Sequence, residues 1–231
     1  MSERCRVGVL ISGRGSNMAC LLEAAASPDY PAEIVVVLCN EPGAPGLALA
    51  RAQGVPGIAV DHRRFGRDRA AHERALDQSL RDHGVQLVCL AGYMRLLTPF
   101  LVGAWHGRML NIHPSLLPSF PGLHTHARAL ALGVKLHGCT VHHVTEVMDE
   151  GPIIAQAAVP VLPDDTADLL AARVLAQEHV LYPLALRIYL SGGPAFDAGA
   201  ALLNPAGLAP GLISPVKSGT PPRAIGEGVA P

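Results

Sequence analysis

Short apolar runs rich in β-branched residues alternate along the chain with longer segments in which apolar residues recur every three to four positions. The short runs predict buried strands, and the longer segments predict amphipathic helices. Alternation of this kind is typical of βαβ units and predicts an α/β fold with a parallel sheet. The predicted strands are residues 6–11, 34–39, 58–60, 85–91, 108–112, 137–144 and 153–159, and the predicted helices are 18–26, 45–53, 68–82, a short one from Pro99, 124–132 and 166–190.

The end of the chain has a different composition. Residues 191–231 contain 15 of the 44 glycines and prolines and show neither a helical nor an alternating period. Their only charged residues are Asp197, Lys217, Arg223 and Glu227. We therefore expect one folded domain over residues 1–190, followed by an irregular or partly disordered tail over 191–231, to which we assign no activity.

Composition and charge exclude several classes of function. A content of 49% hydrophobic and 16% charged residues is too apolar for an intrinsically disordered chain. The formal net charge of −1 gives no overall basic field, so we expect neither a nucleic-acid nor a membrane partner. We expect no membrane span and no secretory signal. The five cysteines form no CxxC pair, which favours a reducing cytoplasm.

A glycine-rich turn, Leu10 to Asn17, lies between the first predicted strand and the first predicted helix, with Ser16-Asn17 as the expected N-cap. Backbone N–H groups and the helix dipole at such a turn can hold an anion. A dinucleotide-binding fingerprint requires Gly or Ala where Met18 stands and an acidic residue where Asn40 stands. A P-loop requires a lysine after Gly15, and Ser16 stands there. Two interpretations of the turn remain: a binding site for a monophosphate, or a tight turn that binds no ligand.

Histidines are concentrated in the middle of the chain, where seven of the eleven lie between His106 and His143. The spacing argues against a metal site, because there is no HExxH motif and His124-x-His126 has no obvious third ligand. Adjacent residues His142 and His143 point to opposite faces of a strand. We therefore expect no bound metal.

Asn111 and His113 fall at the end of a predicted strand, where open α/β sheets bind ligands. An Asn amide donates to a developing oxyanion, and an imidazole exchanges protons near neutral pH, so the pair favours acyl transfer. Asp149, in the turn between the last two predicted strands, is the candidate carboxylate that favours the imidazolium. Each residue alone is more commonly structural, so the interpretation requires all three.

These and other segments resemble one family, the phosphoribosylglycinamide formyltransferases. The resemblance runs from about residue 6 to 190 and is carried by 10–17, Ala91-Gly92-Tyr93-Met94-Arg95-Leu96-Leu97, Asn111-Ile112-His113-Pro114-Ser115-Leu116-Leu117-Pro118, Pro121-Gly122, His137-Gly138-Cys139-Thr140-Val141-His142 and Gln177-Glu178-His179. It implies an open, mostly parallel twisted sheet with helices on both faces. It also implies transfer of a formyl group from 10-formyltetrahydrofolate to the amine of glycinamide ribonucleotide in purine biosynthesis, by a monomer or a homodimer.

The resemblance also implies roles for individual residues. The catalytic residues would be Asn111, His113 and Asp149, with direct attack by the amine and no formyl-enzyme. Gly15, Ser16 and Asn17 would hold the phosphate, and Glu178 the ribose or glycinamide. The folate side would comprise Arg69, Met94, Arg95, Leu96, Leu97, Asn111, Val144 and Asp149. Two departures stand out: Arg14 replaces a smaller polar residue and adds positive charge near the phosphate, and the tail lacks the expected hairpin-like ending.

Three alternatives remain at this stage. A 10-formyltetrahydrofolate deformylase would use the same three catalytic residues with water as acceptor, but normally carries an additional N-terminal domain for which the expected first strand leaves no room. A methionyl-tRNA formyltransferase would need a basic C-terminal domain. A non-catalytic folate- or phosphosugar-binding protein on the same scaffold would be indicated by loss of the three residues, and none is lost.

Overall fold

The computed structural model describes residues 4–192, which form a seven-stranded sheet flanked by helices. The strands are β1 (Cys5–Ile11), β2 (Ala32–Cys39), β3 (Gly57–Ala59), β4 (Leu87–Leu90), β5 (Met109–His113), β6 (Leu136–His143) and β7 (Ile153–Pro160). The helices are α1 (Ser16–Ala25), α2 (Pro45–Ala52), α3 (Arg69–Asp82), α4 (Pro99–Ala104), α5 (Thr125–Ala131) and α6 (Ala167–Leu190). All of the predicted tail (191–231) except its first two residues lies outside the described residues, so the domain division stays a prediction.

The strand order is β3-β2-β1-β4-β5-β6-β7. Strands β1 to β5 pair in parallel, whereas β6 is antiparallel to both β5 and β7. This confirms the predicted open, mostly parallel sheet. Because β6 runs antiparallel to β5, residues of β6 lie directly opposite the end of β5 that carries Asn111 and His113.

Helices cover both faces of the sheet, as expected. On one face, α1, α2, α5 and α6 pack on a core that includes Val9, Ile11 and Cys89, and on the other α3 and α4 pack on a second core around Trp105. The central strands are apolar on both sides because both sides are buried. Helix α6 is fixed to the middle of the sheet by the buried Tyr182 hydroxyl, which lies 3.0 Å from the carbonyl oxygen of Leu90 and 3.2 Å from that of Leu110.

One local prediction was wrong, and one short element was missed. Helix α1 begins at Ser16, with Gly15 in the left-handed region as its N-cap, so Ser16-Asn17 lies inside the helix and does not cap it. A 3₁₀-helix at His62–Phe65, capped by the carboxylate of Asp61, was not predicted. It is a single short turn and leaves little periodic pattern in the sequence. Within residues 4–192 no helix has the length and apolarity needed to cross a bilayer.

Candidate active site

A cavity of about 230 Å³ lies at the carboxyl ends of β1 and β4, where the strand order reverses direction. Residues 12–17, Ala91, Gly92 and Met94 line it. The Ser12 hydroxyl connects the segment after β1 to the segment after β4, because it accepts from the Met94 backbone N–H at 2.8 Å. The same hydroxyl donates to the Asn40 side-chain oxygen at 2.6 Å. Ligands of open α/β sheets bind at this topological position.

The glycine-rich turn forms one wall of this cavity. Gly15 has φ +75°, and a Cβ atom there would lie only 3.2 Å from the Cα atom of Gly46, so glycine is required both for the backbone conformation and for close packing. No side chain caps α1, which leaves the N–H groups of its first turn available at the cavity. The turn therefore has the donors and the dipole of an anion site.

Asn17 and Glu178 meet beside this turn although they are 161 positions apart in the sequence. The Asn17 amide nitrogen donates to the Glu178 carboxylate at 2.6 Å, and both residues are buried. Burial raises the pKa of Glu178, while the hydrogen bond from Asn17 opposes that shift. The Asn17 side-chain oxygen is buried and has no partner among the described residues, so it is an unsatisfied acceptor beside the turn.

His113, at the end of β5, lies against Asp149, in the β6–β7 connection. His113 Nδ1 is 3.4 Å from Asp149 Oδ2, and each side chain is only 8% exposed. Asp149 has φ +60°, and its Oδ2 accepts from the Gly122 backbone N–H at 2.8 Å. On the other side of the imidazole, Nε2 is 3.0 Å from the carbonyl oxygen of Phe120. Both ring nitrogens thus face acceptors, an arrangement that matches the doubly protonated, cationic ring.

Asn111 is held by His142, its direct partner in the antiparallel β5–β6 register. The Asn111 amide nitrogen is 3.2 Å from His142 Nε2, and His142 Nδ1 is 2.8 Å from the carbonyl oxygen of His143. The carbonyl requires a proton on Nδ1, so Nε2 accepts from the Asn111 amide. Burial lowers the pKa of His142 and outweighs the opposing effect of Asp149, whose Oδ1 lies 3.8 Å away. His142 is therefore neutral and orients the amide.

The residues expected on the folate side lie on β5, on two loops and at the start of α3. Leu97 and Val144 pack on the same core cluster, whereas Met94, Leu96, Val147 and Met148 each expose more than half of their surface. A second cavity, of about 310 Å³, lies between the start of the β6–β7 connection and α4, lined by Val102, Gly103, His106, Thr145, Glu146 and Val147. Arg95 is partly buried. The Arg69 side chain is exposed and forms no hydrogen bond to residues 4–192.

Sequence reasoning missed three groups that contact the predicted residues: the imidazole of His142, the carbonyl of Phe120 and the backbone N–H of Gly122. His142 was recognisable only by aligning β6 antiparallel to β5. The other two are backbone groups, which carry no side-chain signal. Among residues 4–192, no three His, Cys, Asp or Glu side chains are arranged to hold a metal ion.

Comparison with known proteins follows this geometry. Residues 5–186 match the family model described as formyl transferase. The chain is 41% identical over 196 residues to phosphoribosylglycinamide formyltransferase of Escherichia coli, covering 85% of this chain and 92% of that protein. It is 46% identical over 192 residues to the trifunctional purine biosynthetic protein adenosine-3 of Drosophila melanogaster, covering 82% of this chain but only 14% of the length of that protein.

Solved structures give the same result. The phosphoribosylglycinamide formyltransferase of Brucella melitensis matches at 55% identity with a TM-score of 0.78, over 82% of this chain and 97% of that one. Glycinamide ribonucleotide transformylase 1 of Symbiobacterium toebii matches at 47% identity with a TM-score of 0.80, over 83% and 90%. The chain therefore belongs to the formyl transferase family and, within it, to the phosphoribosylglycinamide formyltransferases.

Proposed function

We propose that this chain transfers the formyl group of 10-formyltetrahydrofolate to the amine of glycinamide ribonucleotide, a step of purine biosynthesis. The observation that carries the proposal is the contact of His113 with Asp149, in which Nδ1 and Oδ2 are 3.4 Å apart. His113 lies on β5, the strand that also carries Asn111. These groups lie at the same edge of the sheet as the uncapped turn of α1. An acyl-transfer site beside an anion site suits a phosphorylated amine.

The phosphorylated substrate is assigned to the first cavity. The backbone N–H groups of Gly15, Ser16 and Asn17 bind its phosphate, which the positive end of the α1 dipole favours. The Asn17–Glu178 pair presents oxygen acceptors, which suit ribose hydroxyl groups or the glycinamide nitrogen. Burial of Glu178 makes such hydrogen bonds stronger than they would be in water.

The formyl donor is a co-substrate, assigned to the loop that carries Met94 to Leu97 and to the β6–β7 connection. Exposed apolar side chains suit its planar ring, and the two arginines suit its carboxylates. The residues assigned to it are Arg69, Met94, Arg95, Leu96, Leu97, Val144 and the two that also serve the chemistry, Asn111 and Asp149. No macromolecular partner or metal is required, and we place the reaction in the cytoplasm, in keeping with five free cysteines.

The proposed reaction is direct. The lone pair of the substrate amine attacks the formyl carbon, and the carbonyl π electrons move to the oxygen. The Asn111 amide and the His113 Nε2–H donate to this oxyanion, with Nε2–H exchanging the Phe120 carbonyl for the substrate oxygen. When the intermediate collapses, the bond from carbon to the folate nitrogen breaks. The proton lost by the attacking amine balances the one gained by the folate nitrogen.

Asp149 sustains the charge on His113 throughout, and His142 keeps the Asn111 amide oriented. Each donor to an oxyanion is typically worth about 3 kcal/mol of barrier. Both donors act only once the formyl oxygen has become negative. They therefore stabilise the transition state more than the ground state, which is the condition for faster turnover.

The test is release of tetrahydrofolate from 10-formyltetrahydrofolate, with and without glycinamide ribonucleotide. We expect release that depends on the amine and that falls by 10²- to 10⁴-fold in His113→Ala, the usual range for an acid–base residue. Equal release without the amine would identify water as the acceptor, which is deformylase chemistry. Unchanged turnover in His113→Ala would remove that residue from the mechanism.

A further inference from the structure

We propose that Arg14 is the residue that selects the phosphorylated substrate over its dephosphorylated counterpart. The proposal rests on the function proposed above and adds a recognition residue to its phosphate-binding turn. Arg14 stands between Gly13 and Gly15, at the point where β1 turns into α1.

Arg14 is available for a ligand. Its side chain is exposed, and it forms no hydrogen bond or ion pair with any residue in the described range 4–192. It is also the one charged residue among those that line the first cavity. Most other arginines within residues 4–192 form a contact: Arg51 donates to the Gly57 carbonyl, and Arg173 donates to Asp165. An unengaged guanidinium at the rim of an anion site is thus a specific feature of this turn.

The neutral groups of the cavity do not balance a phosphate dianion. The N-terminus of a helix carries roughly half an elementary charge. The Asn17 amide nitrogen is already engaged by Glu178 at 2.6 Å, and the unpartnered, buried Asn17 oxygen is an acceptor that does not bind a phosphate oxygen. Glu178 places a further acidic group behind Asn17. A cation on the open side of the turn strengthens the attraction for a phosphate dianion, and Arg14 lies there.

The guanidinium also fits the geometry of the ligand. Its N–H groups form a planar fork that binds two phosphate oxygens at once, whereas the ammonium of lysine acts as a point charge. Because Arg14 contacts only the phosphate in this scheme, it contributes to binding and not to the chemical step. Its removal should therefore change KM and leave kcat as it is.

The test compares Arg14→Gln and Arg14→Lys with the original chain, using glycinamide ribonucleotide and glycinamide riboside as acceptors. We expect Arg14→Gln to raise KM for the ribonucleotide about tenfold, with kcat unchanged and with kcat/KM for the riboside unchanged. Arg14→Lys should recover part of the loss. Arg187→Gln is the matched control, since it removes an exposed arginine beside Tyr30, at the opposite edge of the sheet.

A second readout separates this proposal from the proposed function. Ribose 5-phosphate, titrated by calorimetry, should bind the original chain and Arg187→Gln equally, and Arg14→Gln about tenfold more weakly, with the difference shrinking as salt is raised. Equal binding to all three, or an equal loss of kcat/KM for ribonucleotide and riboside in Arg14→Gln, would overturn the role of Arg14 while formyl transfer stood. Absence of transfer with this ribose 5-phosphate pattern intact would instead overturn the proposed function alone.

Discussion

The carboxylate of Asp149 lies 3.4 Å from the imidazole of His113, although the two residues belong to different segments of the chain. The contact depends on the left-handed backbone of Asp149, at φ +60°, and on the Gly122 N–H that holds the same carboxylate oxygen at 2.8 Å. Asp tolerates this conformation better than most residues do. Asp149 thereby links the β6–β7 connection both to the loop that carries Gly122 and to the ring of His113.

Replacing Asp149 by Asn tests this relationship, because the change keeps the shape of the side chain and removes its charge. Without a carboxylate charge 3.4 Å from Nδ1, the His113 ring is a weaker hydrogen-bond donor to the oxyanion. We expect kcat to fall about tenfold, with KM for both substrates within twofold. A lower melting temperature with kcat unchanged would argue that Asp149 serves only to hold Gly122.

His142 is predicted to position Asn111 without touching the substrate. His142→Phe removes the Nε2 acceptor 3.2 Å from the Asn111 amide and should lower kcat about tenfold, with KM for both substrates within twofold. His142→Gln restores an acceptor at a similar reach and should recover most of the activity. If Gln and Phe variants are equally impaired at equal melting temperature, the acceptor is not what matters at this position.

His137 should make the fold sensitive to acid. Its side chain is fully buried between the rings of Phe120 and His126, and burial, followed by the neighbouring imidazole of His126, lowers its pKa to about 4. In the unfolded chain the pKa of this histidine is about 6.5. The contribution of neutral His137 to the free energy of unfolding is therefore present above that pH and is lost as the pH falls toward 4.

The measurement is urea unfolding at pH 7.5 and pH 5. Between these pH values the free energy of unfolding of the original chain should fall by about 2 kcal/mol more than that of His137→Phe. The other titrating groups are common to both proteins. Phe keeps a ring between the same two neighbours and cannot titrate. Identical losses in the two proteins would show that His137 takes no part in acid unfolding.

Asn17→Leu should weaken binding of the phosphorylated substrate more than binding of the folate. The change deletes the donor to Glu178 at 2.6 Å and leaves that buried carboxyl group without its partner, next to the phosphate turn and not to the folate loops. We therefore expect a larger increase in KM for the ribonucleotide than for 10-formyltetrahydrofolate. Equal increases would mean that Asn17 supports the site as a whole.

The parallel strands β1, β2 and β4 were predictable because strands buried on both faces form short apolar runs. Asn111 and His113 were recognisable for a related reason, since they stand where an apolar strand ends in polar residues. The match to the observed β5 is within one residue at each end.

The rest of the site depends on contacts distant in sequence. His142 faces Asn111 only because β6 runs antiparallel, and the composition of a strand does not fix its direction. The misplaced cap of α1 has a local cause: Gly15 adopts the left-handed conformation and the helix starts two residues earlier than predicted, which frees the Asn17 side chain for Glu178. The contacts of Phe120 and Gly122 involve backbone groups, whose positions follow from the folded loop.

The most direct measurement is a single turnover with 10-formyltetrahydrofolate labelled with ¹³C in the formyl group, in the presence of glycinamide ribonucleotide. We predict that the label appears on the amine nitrogen of the ribonucleotide at the rate at which tetrahydrofolate is released, and that none is found on the protein at any time. Label recovered as formate, or held on a side chain of the protein before it reaches the amine, would contradict the account.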